Sequence, residues 1–187
     1  LFRSEVMFRI KICGVTKVED AIAAVDAGAD AIGLNFYELG ARSVTAPLAR
    51  RISDAIVDRV NDLIEEDSRR ELVYPIGVFV NHPAEYVRQT FQEARLTAVQ
   101  LHGDESPAIL NDLPKIPAIR VRRLGSGGLA AIAEDLAACK RIVSGNAALN
   151  VVSPCALLLD AMEKGQYGGT GKTLPWAELA DHRRWFG

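Results

Sequence analysis

Residues 9–20 read RIKICGVTKVED, and the change of character halfway along this stretch decides the fold. In RIKICG, apolar residues dominate a short run, which suits a strand, and period-two alternation puts Lys11 and Cys13 on one face of it. In the second half, Thr16 and Glu19 have the spacing of a capping box ahead of DAIAAVDAG, with Gly28 as the stop, so a helix follows the strand at once. The turn between them lacks the G-x-G-x-x-G of a dinucleotide-binding unit. A strand–turn–helix without that fingerprint is the first repeat of an α/β chain of another kind.

The same unit recurs outward from it. Apolar runs stand at AIGLNF (31–36), YPIGVFV (74–80), AVQLHG (98–103), AIRVRR (118–123) and ALLLDA (156–161), and their continuity suits parallel strands covered by helices. Between them, Leu48, Ile52, Ile56, Val60 and Ile64 recur every four residues on a helix starting near Thr45 and Pro47. Pro83 and Pro107 are read as first-turn prolines opening helices at about 83–94 and 106–113, LAAIAEDLAA forms another, and VSGNAALNVVSP is read as an extended connection. Doubly wound sheets and closed (β/α)8 barrels both produce this alternation. The polar residues choose between them: Cys13, Asn35, Gln100, His102 and Asp160 all fall at or near carboxyl ends of expected strands, where a barrel gathers its chemistry from several strands. The expected fold is α/β, of TIM (β/α)8 barrel type, with about six βα units in one domain spanning 1–187.

Composition narrows the function. The chain has 187 residues, 49% apolar and 25% charged, enough for one sizeable core. A net charge of -2, with basic residues scattered among acids, argues against nucleic acid as a partner. Apolar runs such as ALLL fall far short of the roughly 20 residues that span a bilayer, and LFRSEVMFRIKIC lacks a signal-peptide core, so no membrane association is expected. Cys13, Cys139 and Cys155 are odd in number and without metal-ligand spacing, which fits a reducing cytoplasm and no metal site.

YGGTGKTLPW, residues 167–176, looks like a nucleotide phosphate loop, but the opening glycine of G-x-x-x-x-G-K-[ST] would stand at position 166, which is Gln166. The turn is therefore read as glycine-rich backbone able to approach a small anionic molecule.

Each polar residue has a plain alternative. Cys13 is a buried core cysteine, or a thiolate favoured by Lys11 beside it. Asp160 is a helix cap, a core ion-pair member or a functional carboxyl. Arg42, taken alone, is a solvated loop charge. Gln100 and His102, alternating onto one face of VQLHG, are a polar plug or ligand contacts.

Taken together and in order, KICGVTKVEDA, GADAIGLNFY, IGVFVNHP, AVQLHGDES and LLLDA with YGGTGKT and a following tryptophan resemble the phosphoribosylanthranilate isomerase family of tryptophan biosynthesis, a (β/α)8-barrel family. The resemblance implies a cofactor-free Amadori rearrangement of a phosphosugar-anthranilate substrate. It implies Cys13 as general base and Asp160 as general acid, on the first and sixth strands. For substrate binding it implies Lys11, Arg42 as a clamp on the anthranilate carboxylate, Gln100, His102, and the loop carrying Gly168, Gly169, Thr170 and Gly171. Leu174 and Pro175 stand where the family has an aromatic and an acidic residue, and Ala41 where the Arg42 loop has a proline.

The resemblance covers six of the family's eight units, and its phosphate-binding loops follow strands seven and eight. The chain opens on Leu1, with Met7 a plausible start, and closes just after the sixth helix, so a C-terminally incomplete barrel is expected. Open strand edges would then favour self-association. The competing reading is a catalytically silent remnant that serves only as a fold or a partner-binding piece.

Overall fold

The computed structural model describes residues 8–68, 71–113, 115–124, 128–147, 155–161, 174 and 176–181. Six strands follow one another in the sheet in chain order. The chain divides into two compact units, Leu1–Val99 and Gln100–Gly187.

The first unit holds β1 (Lys11–Cys13), α1 (Val18–Asp26), β2 (Ala31–Asn35), α2 (Ala46–Glu66), β3 (Tyr74–Phe79), α3 (Ala84–Glu93) and the start of β4 (Ala98–Leu101). β1 and β2 pair in parallel, Lys11 opposite Ala31 and Cys13 opposite Gly33. β2 and β3 continue in parallel, Ala31 opposite Tyr74 and Asn35 opposite Val78. β2 is buried along Ala31, Ile32 and Leu34, as a strand covered by helices should be.

Helix ends follow the local chemistry. The chain leaves α1 through a Schellman turn: the Gly28 N–H donates to Val25 O, the Ala29 N–H donates to Ala24 O, and Gly28 takes φ +91°. The expected capping box does not form. Lys17 is the N-cap and stays extended at φ −131°, ψ 147°, which leaves Thr16 one residue outside the helix; Glu19 and Asp20 favour the first turn only through their charge. Thr45 does cap α2, its Oγ1 accepting the Leu48 N–H at 3.5 Å. Of the α2 stripe, Ile52, Ile56 and Val60 are buried, each burial being worth about 1.5–3 kcal/mol. The Thr97 N–H donates to Pro75 O and leads the chain into β4.

The second unit contains the rest of β4, a 3₁₀ helix (Pro107–Asp112), β5 (Ala118–Leu124), α4 (Gly128–Ala147), β6 (Cys155–Ala161) and α5 (Trp176–Asp181). β5 and β6 pair in parallel, Ala118 opposite Cys155 and Arg123 opposite Asp160. Two expectations are corrected. The 106–113 helix is a short 3₁₀ helix capped by Ser106, because Pro114 disfavours helical backbone at Leu113, whose φ and ψ are −117° and 51°. Residues 143–147, expected in an extended connection, continue α4 through Gly145, which costs a helix interior only about 1 kcal/mol relative to alanine. Among the described residues no helix is long and apolar enough to cross a membrane.

Candidate active site

Both units carry polar side chains at the carboxyl ends of their strands. In the first, Lys11 and Cys13 do share a face, and Gly33 of β2 makes room for both: a Cβ on Gly33 would lie 2.7 Å from Cys13 Sγ and 2.8 Å from Lys11 Nζ. Those distances are shorter than any side chain tolerates, so the thiol and the ammonium group occupy space that only glycine leaves. Cys13 is exposed and makes no disulfide.

Arg42 joins this group. Its Nη1 donates to the Cys13 carbonyl at 3.1 Å, and its guanidinium lies over Gly14, where a Cβ would come within 2.9 Å of Cζ. Gly14 also takes φ +79°, a backbone region that favours glycine. The loop that presents Arg42 is held by Asn35 at the end of β2. Its Oδ1 accepts the Tyr37 N–H at 3.0 Å, and its carbonyl accepts the Val44 N–H at 2.8 Å. Asn35 thus does for the loop what a proline before Arg42 would do by fixing the backbone.

In the second unit a chain of side-chain hydrogen bonds runs from β4 to β6. Gln100 Nε2 lies 3.1 Å from His102 Nδ1, and His102 Nε2 lies 3.2 Å from Asp160 Oδ2. Gln100 is only 3% exposed. Arg123, opposite Asp160 in register, pairs with Asp104. Gly168, Gly169, Thr170 and Gly171, with Thr173, lie outside the described residues.

Sequence reasoning missed three things. Gly33 carried a signal, since a glycine inside a strand marks a close approach of other groups. Asn35 was placed at its strand end but given no task. The third is a buried ionic cluster behind β5. Arg120, 1% exposed, donates Nε to Asp135 Oδ2 at 3.2 Å and Nη2 to Glu105 O at 2.6 Å; Arg122 donates to the same two partners. Glu105 Oε2 in turn accepts the Gly103 N–H at 3.0 Å. The two arginines therefore tie the segment after His102 to α4. His82 accepts the Val80 N–H on Nδ1 and stacks on Tyr86 at 4.7 Å.

A cavity of about 320 Å³ opens at the other end of the first unit's strands, lined by Arg9, Gly28, Asp30, Val60 and Glu71 among others, and holds none of the expected site residues. Among the described residues no group of three or more His, Cys, Asp or Glu side chains is placed to hold a metal ion.

Parallel strands alternating with helices, with an acid, a thiol and cations at the strands' carboxyl ends, define an α/β enzyme of the TIM-barrel type. The profile of the N-(5'-phosphoribosyl)anthranilate isomerase family matches residues 10–184, and the chain belongs to that family. It is 38% identical over 180 residues to the N-(5'-phosphoribosyl)anthranilate isomerase of Syntrophomonas wolfei, covering 95% of this chain and 72% of that one. The crystal structure of phosphoribosyl anthranilate isomerase from Thermotoga maritima superimposes with a TM-score of 0.67 at 31% identity, covering 97% of this chain and 74% of that one. Another phosphoribosyl anthranilate isomerase, solved in complex with reduced 1-(o-carboxyphenylamino)-1-deoxyribulose 5-phosphate, matches with a TM-score of 0.63 at 27% identity, covering 97% of this chain and 73% of that one.

Proposed function

We propose that this chain catalyses the Amadori rearrangement of N-(5'-phosphoribosyl)anthranilate to 1-(2-carboxyphenylamino)-1-deoxyribulose 5-phosphate in tryptophan biosynthesis, in the cytoplasm. The observation that carries the reading is the family match over residues 10–184. The grouping of Cys13, Lys11 and Arg42 around two glycines supports it.

In this reading Asp160 protonates the furanose ring oxygen, the C1'–O4' bond breaks, and the anthranilate nitrogen lone pair forms the C=N bond. Cys13, as thiolate beside Lys11, then removes the C2' proton; the electrons of that bond form C1'=C2' as the C=N π pair returns to the anthranilate nitrogen, and the resulting enol-amine tautomerises to the ketone. Hydrogen moves within one carbon skeleton and no net redox change occurs, so the chemistry needs no cofactor. Arg42 meets the anthranilate carboxylate with its planar fork. The loop carrying Gly168, Gly169, Thr170 and Gly171 completes the substrate contacts. Self-association is the remaining partner in this reading, supported by Ile10 and Ile12 beside or within β1, which are 50% and 43% exposed.

The test is to follow the loss of anthranilate fluorescence when purified protein is mixed with N-(5'-phosphoribosyl)anthranilate, alongside growth of a tryptophan auxotroph that lacks the isomerase. Turnover with restored growth is expected. Neither, from protein that is folded by near-UV circular dichroism, would leave the silent-remnant reading.

A further inference from the structure

The family resemblance implies Gln100 and His102 as substrate contacts, yet the structure engages both elsewhere. His102 spends Nδ1 on Gln100, at 3.1 Å, and Nε2 on Asp160, at 3.2 Å, so both ring nitrogens are occupied within the protein. Gln100 is 3% exposed, and its Oε1 is buried with no hydrogen-bond partner among the described residues. A buried amide that leaves its acceptor unpaired is costly, and an apolar residue would avoid the penalty. What the amide offers in return is its donor half, which is aimed at His102.

We propose that Gln100 and His102 are positioning residues for Asp160, a relay that fixes which carboxyl oxygen carries the acid proton. This rests on the reading of Asp160 as the acid. Gln100 Nε2 donates to Nδ1, and an imidazole that accepts there carries its ring proton on Nε2. His102 Nε2–H then donates to Asp160 Oδ2 in both states of the carboxyl group. Oδ2 is held as an acceptor, so the acid proton sits on Oδ1. When that proton passes to the furanose oxygen, the C1'–O4' electron pair goes to that oxygen, which becomes a hydroxyl. Asp160 is left as a carboxylate still held by the same Nε2–H, so His102 does not have to reorient as the charge develops. A second carboxyl oxygen competing for the proton would make the acid point two ways.

A merely structural pair and a positioning relay differ in two measurements. The first needs no substrate: the ring nitrogens of His102 are read by long-range 1H–15N correlation in labelled protein, with His102→Gln identifying its signals. The relay requires the neutral Nε2–H form. Gln100→Glu replaces the donor with an acceptor and should convert the ring to a form protonated on Nδ1. An Nδ1–H ring in the unsubstituted protein would overturn the relay. The second is kinetic. His102→Leu should lower kcat by about 100-fold while KM stays within about threefold. His102→Gln, whose amide N–H reaches close to the place of Nε2, should recover most of the loss. A raised KM with kcat intact would instead make His102 a ligand contact and overturn the proposal. Should the unsubstituted protein fail to turn over N-(5'-phosphoribosyl)anthranilate, the proposed function fails by itself, and the ring spectrum still decides the relay.

Discussion

Cys13 and Gly33 face each other in register across β1 and β2, and the thiol occupies the space where a side chain on residue 33 would begin. The pairing joins the backbone to the chemistry, since the same missing Cβ seats the Lys11 ammonium group. Gly33→Ala would push both groups off their places. Misplacement of about 1 Å costs on the order of 100-fold in rate, and overpacking costs about 1–3 kcal/mol of stability. We expect kcat to fall far more than the melting temperature explains. Equal kcat in the variant, measured well below its melting point, would show that the close seating of thiol and ammonium is irrelevant.

Arg42 tests binding apart from chemistry. Charge-assisted hydrogen bonds contribute about 1.5–3 kcal/mol each, so Arg42→Ala should raise KM by roughly 10-fold or more with a smaller effect on kcat. Arg42→Lys should recover little, because an ammonium group cannot make two parallel bonds to a carboxylate. Asn35→Ala, which releases the Arg42 loop from its anchor at Tyr37, should move KM in the same direction. Initial rates over a range of substrate concentrations give both constants. An unchanged KM in Arg42→Ala removes the clamp from the account.

Asp135 holds two arginines of β5, one of them fully buried. Removing the shared carboxylate leaves those charges without their partner in the interior, which costs about 3–5 kcal/mol. Asp135→Ala should therefore lower the midpoint of urea unfolding steeply. A shift equivalent to less than about 1 kcal/mol, the usual range for exposed pairs, would mean the cluster is far better hydrated than its burial indicates.

Much of this architecture is legible in the sequence. The six apolar runs became the six strands within a few residues, because a strand covered by helices must be apolar along its length. Lys11 and Cys13 share a face because a strand's period is two. What local pattern could not supply is pairing at a distance. Arg120 and Asp135 are fifteen positions apart on different elements, and nothing in AIRVRR says which carboxylate will meet the guanidinium groups. Likewise Gln100 and His102 were expected on one face, but their line of hydrogen bonds to Asp160, 58 positions beyond His102, exists only in the fold. The capping box failed for a smaller reason: one extended residue, Lys17, moved the helix start past Thr16.

The central claim is that Cys13 and Asp160 carry the rearrangement. The most direct measurement uses N-(5'-phosphoribosyl)anthranilate labelled with 13C at C2', followed by NMR in the presence of the purified protein. The account predicts that the label moves from the carbinol region to the ketone region. It also predicts that Cys13→Ser and Asp160→Asn, each with an unaltered near-UV circular dichroism spectrum, slow that conversion by at least about 100-fold. A ketone signal that never forms with the unsubstituted protein, or that forms equally fast with either variant, would contradict it.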